Sequence, residues 1–174
     1  IIDIEKRQQT NDGRRHDKRM AGTKQWRAAD GRLQPGFQTA GFTLKQVGKL
    51  QALGAQTLYF EHEKSGASLF YIRNKDTNRG FSISYRTPHL DETDTNHVFE
   101  HSVLASSDKY PSKDIFFDLC SKTYHTFVNA FTYIPFTAYP VCSQSEEQLL
   151  KMADVYLSCM KAPGIRRERR FFDR

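Results

Sequence analysis

The chain has few cysteines, no long apolar run and no concentration of positive charge in its middle, and each lack argues against a class of function. Cys120, Cys142 and Cys159 are scattered, odd in number and without C-x-x-C spacing, which argues against a disulfide framework and against a thiolate zinc site. A reducing compartment suits them, and the expected location is cytoplasmic, with an organelle or secretion left open. No apolar run reaches the length of a membrane span and no leader-peptide pattern is visible, so no membrane partner is expected. The net charge of +6 raises nucleic acid as a partner, but its distribution does not support one. Residues 1 to 36 carry 9 Lys/Arg against 5 Asp/Glu and residues 161 to 174 carry 6 against 2, leaving 11 against 13 between them. A nucleic-acid module would set basic charge and aromatics together on its folded surface. An initiator Met and a closing cap are also lacking: the chain starts at Ile1 and runs out in Arg166 to Arg174. The expectation is a piece of a longer polypeptide, with the remainder of that polypeptide as its partner.

What is present is His97-Val98-Phe99-Glu100-His101. On a helix, imidazoles at i and i+4 lie about 40° apart around the axis, close enough to reach one metal ion, with Glu100 beside them. Two neutral imidazoles bind Zn²⁺, and a neighbouring carboxylate accepts the proton of a water that attacks a carbonyl. H-x-x-E-H is the inverted form of H-E-x-x-H. The pentapeptide alone leaves open that His97 and His101 are ordinary helix histidines.

Residues 1 to 35 are polar and broken by Gly13, Gly22, Gly31 and Pro35, which predicts a mobile arm. From Gly36 the composition changes. Thr57 to Glu63 and Ala67 to Ile72 are rich in strand formers and flank the turn Lys64-Ser65-Gly66. Phe81 to Tyr85 alternates at period two, as a half-buried strand does. Asp91-Glu92-Thr93-Asp94 supplies N-cap candidates for a helix that carries the pentapeptide through Val103 and Leu104. A second helix is expected over Lys113 to Lys122 with Ile115, Phe116 and Leu119 on its apolar face. Two strands follow, Thr126 to Tyr133 and Phe136 to Cys142. Ser145-Glu146-Glu147-Gln148 has capping-box spacing, ahead of a stripe of Leu149, Met152, Ala153, Tyr156, Leu157 and Met160 that ends near Pro163. The pattern predicts an α+β domain over 36 to 174, with the pentapeptide helix packed on an antiparallel-rich sheet.

Several blocks together resemble one family. Asn96 to Leu104, Lys109-Tyr110-Pro111-Ser112-Lys113-Asp114, Thr126 to Tyr133 and Thr137-Ala138-Tyr139-Pro140-Val141 are similar to the N-terminal catalytic domain of the presequence-protease branch of the pitrilysin/insulinase zinc metallopeptidases. Gly41-Phe42, Glu61 to Ala67 and Asp76 to Arg79 resemble that branch as well. The resemblance implies a peptidase that degrades unfolded oligopeptides inside a chamber of two related halves. It implies zinc ligands at His97 and His101, a general base at Glu100, and an edge strand at Asn129 and Ala130 on which extended peptide adds as a further strand. For Asn129 a turn-forming role is the alternative. Ala105-Ser106-Ser107 stands where the branch has Cys-Gly-Ser, and Ile134-Pro135-Phe136 replaces a more polar stretch. The family's third zinc ligand is a glutamate further downstream, and none of Glu146, Glu147 and Glu168 matches it, so the third ligand is expected outside this chain. His62 is expected to be a sheet residue, His89 and His125 have no ligand spacing, and Tyr133 and Tyr139, which could line the site, are expected in the core as aromatic residues on strands. Without the third ligand this chain alone is expected to be inactive, and the other reading is a truncated product that binds peptide or a partner without cleaving.

Overall fold

A computed structural model describes residues 33 to 88 and 94 to 167. Nearly all of the arm expected over residues 1 to 35, the cap candidates Asp91 to Thr93, His89 and Glu168 lie outside the described residues. The chain divides into two compact units between Asp76 and Thr77.

The first unit is one antiparallel sheet of β1 (Gln38–Thr39), β2 (Phe42–Leu50), β3 (Ala55–His62) and β4 (Ser68–Arg73), in that order. β3 and β4 are the expected pair, in register from Gln56↔Arg73 to Glu61↔Ser68. Their connection holds Gly66 at φ 66, a left-handed conformation that glycine adopts without a side-chain penalty. Sequence reading missed β2 because its alternation changes phase. Leu44 faces Phe60 and Gln46 faces Tyr59, with Lys45 as the extra residue of a bulge, so the inward side moves from even to odd positions. Leu44, Leu58, Phe60 and Tyr71 form the core, with Val47 and Leu69 packed against it. His62, expected as a sheet residue, ends β3 with Nδ1 2.7 Å from Ser65 Oγ.

The second unit runs β5 (Arg79–Arg86), α1 (Thr95–Val103), α2 (Ile115–Lys122), β6 (Phe127–Val128), β7 (Phe131–Thr132), β8 (Phe136–Ser143) and α3 (Glu146–Lys161). β8 is the central strand, with β5 on one side and β6 and β7 end to end on the other. Its burial alternates, and Thr137, Tyr139, Val141 and Ser143 face inward. α2 begins two residues later than expected because Asp114 caps it, accepting from the Phe117 N–H at 3.0 Å. Ile115 and Leu119 are buried on the expected face. Ser145 caps α3 by accepting from the Gln148 N–H. On α3 the buried residues are Leu149, Met152, Ala153, Tyr156 and Cys159. Leu157, expected in the stripe, is 40 % exposed because it sits about 100° around the helix from Tyr156. Cys159 takes its place in the core, and burial pushes its thiol up to about 11.

All three cysteines are free. Burial sets their order of reactivity, since the thiolate is the nucleophile. Cys120 is exposed, Cys142 half-buried and Cys159 fully buried. With an aromatic disulfide reagent on the native protein at pH 8, we expect Cys120 to react first and Cys159 to react only on unfolding. Equal rates for all three would contradict the packing of α3.

The expected strand over Thr126 to Tyr133 is two short strands with a gap at Asn129 and Ala130. Register is unbroken: Val128 faces Val141 and Phe131 faces Ala138, which puts Asn129 opposite Pro140. The Asn129 N–H donates to Pro140 O at 3.2 Å, but proline has no N–H to return the bond. The Tyr156 hydroxyl on α3 donates to Asn129 O at 3.1 Å instead, so the carbonyl left over by proline is satisfied from the helix layer.

Candidate functional site

α1 lies against β7 and turns Glu100, Ser102 and Val103 inward. Glu100 is 5 % exposed, and its Oε2 accepts a hydrogen bond from the Thr132 hydroxyl on β7 at 2.5 Å. A buried carboxylate needs such a donor to offset lost hydration. The histidines lie one turn apart on the same side of α1. Their Nε2 atoms are 3.1 Å apart and their ring centroids 4.9 Å apart. A cleft of about 620 Å³ joins them to the sheet edge, with His97, Glu100, His101, Asn129, Ala130 and Thr132 in its wall and Leu104 and Phe116 adding apolar surface. Residues distant in sequence thus share one cavity, because α1 packs against β7, which continues the segment that holds Asn129 and Ala130.

The donor set suits a metal ion. A tetrahedral zinc with Zn–N of about 2.0–2.1 Å spaces two imidazole nitrogens about 3.3–3.4 Å apart, and the observed 3.1 Å is within a few tenths of that. Among the described residues no group of three or more His, Cys, Asp or Glu is arranged to hold a metal. Glu147 is held by Lys151 at 2.7 Å and Glu146 stands 3.9 Å from Arg79. His125 Nδ1 lies 3.2 Å from the Thr123 hydroxyl.

Sequence reading missed two residues here. Asp94 sits at the N-cap position as expected, but its side chain makes no capping bond; Oδ2 lies 3.1 Å from His97 Nδ1. Thr132 was seen only as part of a strand, because its partner is distant in sequence. Tyr139 is buried, edge-on to Tyr156, and its hydroxyl is pushed up by burial and then by the nearby Glu100 charge. Tyr133 is 49 % exposed, not core. It belongs to a row of rings with Phe131 and Phe136 on the other face of the sheet, because residues two apart on a strand share a face and Thr132 already points at α1.

The edge segment is partly self-protected. β6 and β7 have no ladder partner on their outer side among the described residues, and the Ala130 N–H is taken by Asn129 Oδ1 at 2.9 Å. A peptide adding as a strand there would displace that side chain.

No family model matches the sequence. The chain is 39 % identical over 133 residues to Protein HypA of Clostridium perfringens, covering 76 % of this chain and 14 % of that protein. It is 35 % identical over 135 residues to the mitochondrial presequence protease of Xenopus laevis, covering 78 % and 13 %. It is 40 % identical over 109 residues to presequence protease 1 of Arabidopsis thaliana, chloroplastic/mitochondrial by name, covering 63 % and 10 %. It therefore spans no more than about a seventh of the length of these relatives. A crystal structure of pitrilysin matches at TM-score 0.60 and 17 % identity over 72 % of this chain and 14 % of that one. This supports the mixed α and antiparallel β fold. No described helix is long and apolar enough to cross a membrane.

Proposed function

Because the matched stretch of this chain belongs to the presequence-protease branch of the pitrilysin/insulinase metallopeptidases, we propose that it forms one wall of a zinc-dependent site that hydrolyses unfolded oligopeptides. The observation that carries this reading is the pair of Nε2 atoms 3.1 Å apart, beside a buried glutamate, in a cleft bounded by a sheet edge. His97 and His101 would hold the metal through their converging Nε2 atoms. When bound, zinc supplies a water of lowered pKa and polarises the peptide carbonyl. Glu100 accepts the proton of the attacking water and passes it to the leaving amine. The Thr132 hydroxyl fixes which way the Glu100 carboxylate faces and leaves Oε1 for the proton. Extended peptide is held at Asn129 and Ala130 by backbone bonds, which favours unfolded substrates and gives little side-chain selectivity. Free cysteines fit a reducing interior, so we place the protein in the cytoplasm or in an organelle such as the relatives' names specify.

Binding of peptide without cleavage is the second reading, favoured by the lack of a three-donor group among the described residues. A catalytic zinc normally has three protein ligands. Zinc titration of the 174-residue chain by calorimetry is expected to give weak binding that His101→Ala removes. Tight, stoichiometric binding would show that a third ligand lies within the chain, and binding indifferent to His101→Ala would refute the site.

A further inference from the structure

We propose that Asp94 is a positioning residue for His97: its carboxylate holds the Nδ1 proton, and so turns a bare Nε2 toward the metal position. This rests on the zinc reading above and goes beyond it by assigning a residue outside the pentapeptide.

Backbone and side chain of Asp94 have separate roles. Its φ of 53 is left-handed, a conformation in which glycine is most at ease and asparagine next among residues with side chains. Its carbonyl accepts from the His97 and Val98 N–H groups at 3.0 and 3.2 Å, which starts α1 and which any residue could do. If the backbone alone mattered, glycine would serve best. The carboxylate adds one contact that glycine cannot make, Oδ2 to His97 Nδ1 at 3.1 Å. Instead of capping an N–H in the first turn, as aspartate commonly does at this position, it faces the histidine.

The consequence is chemical. A neutral imidazole carries its proton on one nitrogen, and a carboxylate acceptor at Nδ1 keeps it there. His97 Nε2 then presents a lone pair toward His101 Nε2 at 3.1 Å. That spacing is stable when a proton or a cation lies between the two nitrogens. A carboxylate behind a metal-ligating histidine also fixes the orientation of its ring, and loss of such a partner typically lowers metal affinity about 10–100-fold.

Asp94→Gly and Asp94→Asn test this, since both residues tolerate the left-handed backbone and α1 should still form. The first measurement needs no metal: nitrogen-15 NMR of the histidine rings in the metal-free chain reports the tautomer. We expect His97 to be protonated on Nδ1 in the wild type and to shift toward Nε2 protonation in Asp94→Gly, with Asp94→Asn between them. The second measurement is Co²⁺ titration, followed by its absorption bands, in which Asp94→Gly should bind about 10–100-fold more weakly while circular dichroism stays unchanged. An unchanged His97 tautomer, or Co²⁺ affinity within twofold of wild type, would overturn the assignment. Failure of the wild type to bind Co²⁺ would count against the metal reading of the site, and the tautomer result would still decide the role of Asp94.

Discussion

In a polypeptide of the relatives' length that carries this stretch, Glu100→Gln is expected to abolish peptide hydrolysis and to leave the metal bound. The two effects separate because the substitution removes the proton acceptor and nothing else. Glutamine keeps the size of the side chain and a carbonyl oxygen for the Thr132 hydroxyl, which now donates to Oε2. The inward packing of α1 therefore persists. His97 and His101 are unchanged, so metal content measured by atomic absorption should match the wild type. Loss of a general base costs about 10²–10⁴-fold in rate, and turnover of an unfolded peptide should fall at least that far. His101→Ala should lose both metal and turnover, because one of two converging nitrogens has gone. Were Glu100→Gln to lose metal as fully as His101→Ala, Glu100 would be a ligand and the general-base role would be wrong. Substantial turnover with metal bound would remove the basis for reading the pentapeptide as catalytic.

Tyr156 carries the largest expected effect on stability. It is fully buried between the sheet and the rest of the core, its ring meets Tyr139 edge-on, and its hydroxyl satisfies Asn129 O. Truncating a buried aromatic to alanine typically costs about 3–5 kcal/mol, a large share of the stability of any domain this small. Tyr156→Ala is therefore expected to unfold the second unit at room temperature. The informative variant is Tyr156→Phe, which keeps the ring and strands the Asn129 carbonyl, at about 1–3 kcal/mol. Pro140→Val restores an N–H opposite Asn129 and so supplies the missing donor from the strand side. In that background Tyr156→Phe should cost measurably less in urea denaturation, a coupling that a double-mutant cycle isolates. Equal costs in both backgrounds would show that the hydroxyl and the proline are unrelated.

Both experiments depend on contacts that no reading of the sequence could supply. The strands of the hairpin, Ala55–His62 and Ser68–Arg73, were legible because their apolar residues and turn glycine are local signals. The helix at Ile115 was legible through its apolar face, though not its Asp114 cap, and the helix at Glu146 through the capping spacing at Ser145. Strand Phe42–Leu50 was not, since the bulge at Lys45 breaks the period on which recognition depends. The role of Asp94 was hidden because aspartate before a helix ordinarily caps it. Only the side-chain direction distinguishes that from the contact with His97.

The sequence by itself determined the chemistry available. The spacing of His97 and His101 follows from helical geometry, so both nitrogens face one way whatever the rest of the chain does. The placing of Glu146 and Glu147 in a first helical turn beside Ser145 likewise follows from local pattern. Tertiary structure decided what surrounds that chemistry. Packing of α1 on β7 buries Glu100 and gives it Thr132, and pairing with β8 brings Asn129 and Ala130 into the same cleft. Those partners are about 30 residues away and set by a strand register in which Pro140 leaves a gap that Tyr156 fills. Local spacing can fix which groups a helix presents; only long-range pairing, settled by burial of the shared core, fixes what they meet.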